Sequence, residues 1–222
     1  MTNILYICPM NKREILAQDT AEFLLQIKAI KLDADHPFTW TSGIISPIYC
    51  DNRKILSYPK VRTFIRQEFA KLITAEFGAI DVIAGVATGA IAHGVLVAQD
   101  LGLPFVYVRS SKKEHGLSNQ IEGVVESGQS VVVVEDLVST GKSSLDAVKA
   151  LRDTGCNVKG MVAIFTYDLE TAKENFKKEN CPLFTLTNYN ALINYAHDKN
   201  FIRESDLNSL IQWREDPEKW GK

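Results

Sequence analysis

The sequence predicts an α/β protein with a central, mostly parallel sheet flanked by helices and a small N-terminal hood segment beside it. Two observations lead to this fold class. Continuous apolar strands, clearest at 81–87 and 129–136, alternate with segments of helical periodicity, which is typical of a parallel sheet covered on both faces. The residues before about 80 do not follow that alternation, so we expect them beside the sheet.

The first 80 residues predict two helices with a strand-rich turn between them. Residues 14–32 place apolar groups at roughly helical spacing and predict an opening helix. Residues 36–53 mix β-forming residues with Gly and Pro, which indicates short strands around a turn. In 61–77 one helical face collects Val61, Phe64, Ile65, Phe69, Leu72 and Ile73.

From residue 81 onward, strands and helices alternate. The predicted strands are 81–87, 104–109, 129–136 and 158–167. The predicted helices are 90–101, closed by Gly102, and 143–154, closed by Gly155. We expect one domain over 1–222, with the N-terminal helix and hood segment at about 1–80, the α/β core at about 81–200 and a charged surface helix carrying Trp213 and Trp220 at 201–222.

Composition and charge restrict the class of protein. The chain has 222 residues, of which 45% are hydrophobic and 23% are charged, as in ordinary globular proteins. Its net charge of -2 argues against nucleic-acid binding as the main role, because phosphate contacts need a basic surface. No apolar run approaches the ~20 residues that cross a bilayer, so we expect no membrane partner.

The four cysteines, Cys8, Cys50, Cys156 and Cys181, are far apart and form no CxxC pair. This spacing predicts reduced thiols in a cytoplasmic protein and gives no support to a structural zinc site. The chain starts with a short apolar patch that no basic segment precedes, so we expect no signal peptide.

Residues 131–144, VVVVEDLVSTGKSS, run from a strongly apolar strand into two acids and a loop of small residues. The ending Gly141-Lys142-Ser143 matches the end of a P-loop, but Asp136 stands where that pattern needs its first glycine. A carboxylate at that position would repel the phosphates, which argues against a nucleotide triphosphatase. GxGxxG is absent after every predicted strand, which argues against a dinucleotide site.

A ligand with two different ends would suit both features of this stretch. The loop 137–143 joins a strand to a helix, so its backbone N–H groups and the helix N-terminus predict a site for one phosphate monoester. The hydroxyl donors in the loop are Ser139, Thr140 and Ser143. Glu135 and Asp136 would accept hydrogen bonds from neutral hydroxyls or hold a metal, as a ribose 5-phosphate requires. The alternative is that the acids only end a strand and cap a turn.

On these residues the sequence resembles the phosphoribosyltransferases, whose signature is an apolar strand, two acids and a small-residue loop that holds a 5-phosphate. Other segments resemble the orotate branch of that family. FTWTSGIISPIYCDNR resembles its N-terminal substrate segment, IAGVATGAIAHG its pyrophosphate loop, and VYVRSSKKEHG its mobile catalytic loop, with NQIEG following. The resemblance extends from about 36 to 167 and implies the type I phosphoribosyltransferase fold.

The resemblance implies a reaction in which the 5-phosphoribosyl group of 5-phosphoribosyl 1-diphosphate passes to N1 of orotate. The products would be orotidine 5′-monophosphate and diphosphate, in pyrimidine biosynthesis. Mg²⁺ would be the cofactor, carried by the sugar diphosphate, with Glu135 or Asp136 contacting it at most through water. A homodimer would share the catalytic loop between its subunits.

The resemblance also implies the site residues. The catalytic loop would supply Lys113, Arg109 and His115. The residues binding the sugar diphosphate would be Arg109, Lys112, Lys113, His115, Thr88, Gly89, Glu135, Asp136, Leu137, Val138, Ser139, Thr140, Gly141, Lys142 and Ser143. Those binding orotate would be Ser139, Thr41, Ser42, Gly43 and Arg53.

For several of these residues a simpler alternative is open. Lys112 and Lys113 suit a solvated basic loop, and Lys142 suits a solvated helix start. Arg53 suits a structural ion pair, and His93 suits ordinary helix packing. The sequence also departs from the family pattern, with Thr41 in place of a lysine, Tyr167-Asp168-Leu169 in place of an arginine, and Ser110 in place of a basic residue.

Two other functions share part of the pattern. A phosphoribosyltransferase acting on a purine base would share 131–144 but would not need the 38–53 segment. A regulator that senses phosphoribosyl diphosphate without turning it over would not need the 109–115 loop, and such a protein usually carries a basic nucleic-acid surface.

Overall fold

The protein is described by a computed structural model that covers residues 11–40, 43–109 and 120–220. The N-terminal part contains two α-helices, a 3-10 helix and four short strands. In chain order these are α1 (Lys12–Gln26), β1 (Ile30–Leu32), β2 (Phe38–Thr39), β3 (Ile45–Ser46), β4 (Ile48–Cys50), the 3-10 helix Asn52–Ser57 and α2 (Pro59–Phe77). β1 pairs with β4, and β2 pairs with β3, both antiparallel.

The rest of the chain forms the main sheet and its covering helices. In chain order these are β5 (Val82–Val86), α3 (Ile91–Leu101), β6 (Phe105–Val108), β7 (Ile121–Glu122), β8 (Ser130–Val138), α4 (Lys142–Asp153), β9 (Asn157–Thr166), α5 (Glu170–Lys178), β10 (Leu183–Asn188), α6 (Tyr189–Asp198) and α7 (Glu204–Glu215). Within the described residues the strand order is β10-β9-β8-β5-β6-β7, and only the β6–β7 pair is antiparallel.

This sheet confirms the predicted fold class and the predicted elements of the core. Val131 to Val134 are fully buried in the centre of the sheet. Alternate side chains of β8 point to opposite faces, so Val132 and Val134 pack with α1, α2, α3 and α6, whereas Val131 and Val133 pack with α4 and α5. Burying one such side chain contributes about 1.5–3 kcal/mol relative to exposure, which makes the sheet a rigid support for the loops at its ends.

The predicted opening helix over 14–32 is wrong at its C-terminal end. α1 stops at Gln26, Lys28 has a φ of 54°, and Ile30–Leu32 is a strand that pairs with Ile48–Cys50. Apolar residues at 30 and 32 also fit a period of two, so local spacing does not distinguish the two structures. The pairing with a partner strand distant in sequence decides between them.

The predicted surface helix at the C-terminus is confirmed as a helix but is wrong in its placement. Trp213 is 0% exposed and Leu210 is buried with it in the core. The hydroxyl of Tyr189 in α6 donates to the carbonyl of Leu210 at 3.0 Å, which ties α7 to α6. The sequence pattern did not reveal this burial, because the charged residues of 201–222 surround an apolar face of the helix that is narrow.

Candidate active site

The carboxyl ends of β5 and β8 lie side by side, because these strands are parallel neighbours. A cavity of 350 Å³ opens there. Its lining combines three segments that are far apart in sequence: Cys50, Asp51, Arg53, Val86, Ala87, Thr88, Gly89, Glu135, Asp136, Leu137 and Ser143. The structure therefore brings together the predicted residues of the pyrophosphate loop, the acid pair and the N-terminal substrate segment.

A larger cavity of 460 Å³ lies between α5 and β10. Lys173, Lys177 and Asp168 line it together with apolar and amide side chains, but none of the predicted site residues does so. The smaller cavity is the candidate active site, since ligands of open parallel sheets bind beyond the carboxyl ends of the strands.

Asp136 is half-buried, and its carboxylate faces Gly89 across the cavity. A Cβ atom built on Gly89 would lie 2.3 Å from one carboxylate oxygen of Asp136 and 2.5 Å from the other. Only glycine therefore allows the pyrophosphate loop and the acid to approach this closely. The peptide bond between Ala87 and Thr88, beside this contact, is cis.

Glu135 differs from Asp136 because both of its carboxylate oxygens are already engaged within the protein. Glu135 is 4% exposed. Its Oε1 accepts from the backbone N–H of Asp136 at 3.0 Å, and its Oε2 accepts from the hydroxyl of Ser144 at 2.9 Å. Burial, and then the neighbouring Asp136 carboxylate, raise the pKa of Glu135 well above its ordinary value. Asp136 is thus the more accessible acid of the pair.

The phosphate loop lies between the end of β8 at Val138 and the start of α4 at Lys142. Gly141 is the N-cap of α4 with a φ of 79°, and no side chain caps the helix. The first N–H groups of a helix have no acceptor within it and carry the positive end of its dipole. Thr140, Lys142 and Ser143 are exposed here, so the loop offers uncapped N–H donors and a hydroxyl to an anion.

α5 holds this loop from behind. Asn175 Nδ2 donates to the carbonyl of Thr140 at 2.9 Å. The ring of Phe176 lies so close to Gly141 that an added Cβ would be 2.6 Å from it. Ser139, which is half-buried, and the exposed Lys142 complete the loop. The loop is therefore fixed by contacts with a helix that the sequence alone did not assign to the site.

Arg53 is largely exposed and pairs with Asp51, whose Oδ1 accepts from Arg53 Nε at 2.7 Å. The hydrogen bond from Arg53 lowers the pKa of the Asp51 carboxyl. Both residues line the cavity. The structure thus shows the ion pair that the sequence left as an alternative for Arg53, and Arg53 also lines the cavity.

The remaining predicted residues fall outside the cavity or outside the described part of the chain. Arg109 follows β6, where its backbone N–H donates to the carbonyl of Gln120 at 2.8 Å and its Nη1 lies 3.5 Å from Glu122 Oε1. Gly43 has a φ of 85° and donates its N–H to the carbonyl of Trp40. Thr41, Ser42, Lys112, Lys113 and His115 lie outside the described residues.

Two buried polar residues were not predicted as parts of the site. Asn52 is 1% exposed and its Nδ2 donates to the carbonyl of Asp136 at 2.6 Å. His93 is 2% exposed, and burial lowers its pKa, which favours the neutral imidazole. His93 is close to the backbone of Asn52, so the helix packing predicted for His93 places it beside the segment that holds Asp136. No sequence periodicity signals either contact.

Comparison with known proteins supplies the family. A family model described as a phosphoribosyl transferase domain matches residues 53–200. The orotate phosphoribosyltransferase of Bacteroides thetaiotaomicron is 58% identical over 200 residues, which cover 90% of this chain and 94% of that protein. The chain belongs to the orotate phosphoribosyltransferase family.

Solved structures of orotate phosphoribosyltransferases have the same fold. The enzyme of Aeropyrum pernix matches with a TM-score of 0.71 and 25% identity, over 82% of this chain and 99% of that one. The Mycobacterium tuberculosis enzyme in complex with 5-phospho-alpha-D-ribosyl 1-diphosphate matches with a TM-score of 0.62 and 26% identity, over 80% and 98%. That structure shows the M. tuberculosis enzyme with the sugar diphosphate bound.

The described residues also bear on metals and membranes. Within 11–40, 43–109 and 120–220, no group of three or more His, Cys, Asp and Glu side chains could hold a metal ion. None of the helices in those ranges combines the length and hydrophobicity needed to cross a bilayer.

Proposed function

We propose that this protein is an enzyme that transfers the 5-phosphoribosyl group from 5-phosphoribosyl 1-diphosphate to orotate, in pyrimidine biosynthesis. In this reaction the C1′–O bond breaks with its electron pair leaving on diphosphate, the bond from C1′ to N1 of orotate forms, and the N1 proton is released. The observation that carries the proposal is the cavity that joins an accessible carboxylate to an uncapped helix N-terminus, in a chain 58% identical to a curated orotate phosphoribosyltransferase.

Different residues of the cavity would bind different parts of the sugar diphosphate. Asp136 accepts hydrogen bonds from the ribose hydroxyls, which are strong because the acceptor is charged. Glu135 supports it by holding the backbone N–H of Asp136. The N–H groups and hydroxyls of the loop bind the 5-phosphate at the N-terminus of α4; the loop residues are Leu137, Val138, Ser139, Thr140, Gly141, Lys142 and Ser143.

The diphosphate end needs cations, because negative charge develops on the leaving group as the C1′–O bond breaks. The proposed groups are the backbone of Thr88 and Gly89 and, on the catalytic loop, the side chains of Arg109, Lys112, Lys113 and His115. Closure of that loop would also exclude water from the reacting carbon. We propose that the protein is a homodimer in which this loop reaches the active site of the second subunit.

A magnesium ion fits this donor set. The cavity offers one accessible carboxylate, Asp136, while Glu135 is saturated by Ser144 and a backbone N–H. Mg²⁺ binds phosphate oxygens with few protein ligands and keeps several waters, so it would be carried by the sugar diphosphate with Asp136 contacting it through water. When bound, it would neutralise charge on the diphosphate.

The base end is proposed to lie toward Arg53 and the turn that contains Thr41, Ser42 and Gly43, with Ser139 between the base and the sugar. Arg53 uses its Nε in the ion pair with Asp51. The other N–H groups of its guanidinium would donate to the orotate carboxylate. Cys50, Cys156 and Cys181 are free thiols, which supports the proposed cytoplasmic location.

The test is an assay of purified protein with 5-phosphoribosyl 1-diphosphate, Mg²⁺ and a panel of bases. The expected result is conversion of orotate to orotidine 5′-monophosphate, and no product from adenine, hypoxanthine or guanine. Product from a purine base but not from orotate would establish the purine-base alternative. Tight binding of the sugar diphosphate without turnover of any base would establish the regulator alternative.

A further inference from the structure

Trp213 connects the C-terminal helix to the N-terminal hood. It lies in α7, is 0% exposed, and its indole N–H donates to the carbonyl of Ile45 in β3 at 3.2 Å. The two residues are 168 positions apart in the chain. Among the described residues, the other neighbours of this indole belong to the apolar core.

Trp40 contacts both Trp213 and the turn between β2 and β3. Its backbone N–H donates to the carbonyl of Ile44, and its carbonyl accepts from the N–H of Gly43, both at 2.9 Å. Its ring packs edge-on against Trp213 at 5.5 Å and in a tilted arrangement against Tyr167 at 4.9 Å. Trp213 therefore contacts both ends of the turn. It packs against the ring of Trp40 and donates a hydrogen bond to Ile45.

α7 is itself fixed to the core, so its contacts can hold the turn in a fixed position relative to the core. Tyr189 holds the carbonyl of Leu210, and Arg214 Nη1 donates to the carbonyl of Asp168 at 3.3 Å. Asp168 directly follows the strand end at Thr166 and Tyr167. A second tie runs from Arg203, at the start of α7, to Asp35, 2.7 Å away in the segment before β2.

We propose that Trp213 is a positioning residue for the base, which it serves by setting the distance of the β2–β3 turn from the end of β9. The inference rests on the proposed function, in which Gly43 of this turn contributes to base binding. No residue of α7 lines the cavity that holds Asp136 and the α4 N-terminus. Loss of the Trp213 contact should therefore weaken the binding of the base and leave the binding of the sugar diphosphate unchanged.

The variant Trp213→Phe tests this, because it keeps an aromatic ring and removes the N–H that Ile45 accepts. We expect KM for orotate to rise about five-fold, the loss typical of one neutral hydrogen bond, while KM for the sugar diphosphate and kcat change less than two-fold. Trp220→Phe is the matched control, since Trp220 is half-buried against the same core but its side chain makes no hydrogen bond with the described residues. It should leave both KM values unchanged.

A purely structural role for Trp213 predicts a different result. An equal change in both KM values, or no change in the orotate KM of a folded variant, would overturn the inference. If Trp213→Phe does not fold, Trp40→Phe, which disturbs the same ring pair from the hood side, should show the same selective rise. If wild-type protein uses another base, the proposed function fails, and the same KM ratio measured on that base still decides the role of Trp213.

Discussion

The two ends of the active-site cavity are built in different ways. The proposed sugar-phosphate end comes from one continuous stretch, from Glu135 to Ser144, in which strand, acids, loop and helix start follow one another. The proposed base end combines the 51–53 segment, which lines the cavity, with the β2–β3 turn, which lies outside it and is contacted by Trp213 of the C-terminal helix. The first end carries its chemistry in local sequence, and the second acquires its geometry from long-range contacts.

This difference predicts where substitutions act. A change in the continuous stretch should alter binding of the sugar diphosphate, because every donor there belongs to one strand–loop–helix unit. A change in the contacts of the hood should alter binding of the base, because its parts have no common backbone. A residue that touches both ends should affect both substrates.

The largest effect is expected for Gly89→Ala, which tests the closest approach at the sugar end. Its Cβ would lie 2.3 Å from a carboxylate oxygen of Asp136, so the acid must move. Misplacing a reacting group by about 1 Å can cost about 100-fold in rate, and we expect a loss of that order in kcat/KM for the sugar diphosphate.

Gly102→Ala is the control for this substitution. Gly102 is the C-cap of α3, at the other end of the helix that follows Gly89, has a φ of 67°, and has no atom within 4 Å of an added Cβ. It should lower the thermal midpoint with little effect on kinetics. Normal kinetics for Gly89→Ala would show that the carboxylate of Asp136 does not need its present position.

Gly141→Ala tests the phosphate loop. The variant meets the ring of Phe176 at 2.6 Å and requires a left-handed φ of 79°, which costs about 1–2 kcal/mol for a non-glycine residue. We expect the free energy of unfolding to fall by at least that amount and KM for the sugar diphosphate to rise about ten-fold, with the orotate KM little changed.

The double variant Gly141→Ala with Phe176→Leu separates the two causes. A smaller side chain at 176 relieves the ring contact and leaves the backbone cost, so part of the KM should recover. A rise in the orotate KM alone for Gly141→Ala would contradict the assignment of this loop to the 5-phosphate.

Asn52→Ala tests the link between the two ends. Asn52 begins the segment beside Arg53 and donates to the carbonyl of Asp136. Removing this buried donor should lower the free energy of unfolding by about 1–3 kcal/mol and raise both KM values by a few-fold. The half-buried neighbour Lys54 offers a control, since Lys54→Ala removes a hydrogen bond to the carbonyl of Lys28 and no contact with Asp136. An effect on one substrate alone would show that the ends are independent.

The smallest effect is expected for Glu135→Gln, and it depends on pH. Burial raises the pKa of Glu135 in the folded state, so its contribution to stability is present below the unfolded pKa and is lost as pH rises toward the folded pKa. The glutamine amide of the variant keeps an oxygen that accepts from the Asp136 N–H. Because it does not ionise, its contribution to stability does not fall as the pH rises. We expect the thermal midpoint of the variant to rise relative to wild type by a few degrees as the pH increases above about 4, the ordinary pKa of a glutamate.

Asp146→Asn controls for the general effect of removing a carboxylate, because Asp146 is exposed on α4. Its thermal midpoint should follow the wild type over the same pH range. A constant difference between Glu135→Gln and wild type at every pH would mean that Glu135 has no raised pKa in the folded protein.

Much of the fold and of the geometry of the acid-and-loop unit could be predicted from sequence because their signals are local. Four valines followed by two acids predict a buried strand that ends in a polar site, and the small residues of 137–143 predict a phosphate loop at a helix start. The predicted core strands and helices differ from the structure by only one or two residues at their ends. Each of these features depends on neighbours in the chain.

Other features could not be predicted, because the interactions that decide them join distant residues. Ile30–Leu32 is a strand because Ile48–Cys50 offers it a partner, although its spacing also fits a helix. Gly89 matters because Asp136 approaches it from another strand, and Trp213 is buried because Ile45 and Trp40 cover it. The sequence by itself determined the parallel sheet and the acid-and-loop unit, since periodicity and turn chemistry act over a few residues. Only the tertiary structure decided how the hood, the pyrophosphate loop and the C-terminal helix meet, since burial and hydrogen bonding depend on which distant surfaces come into contact.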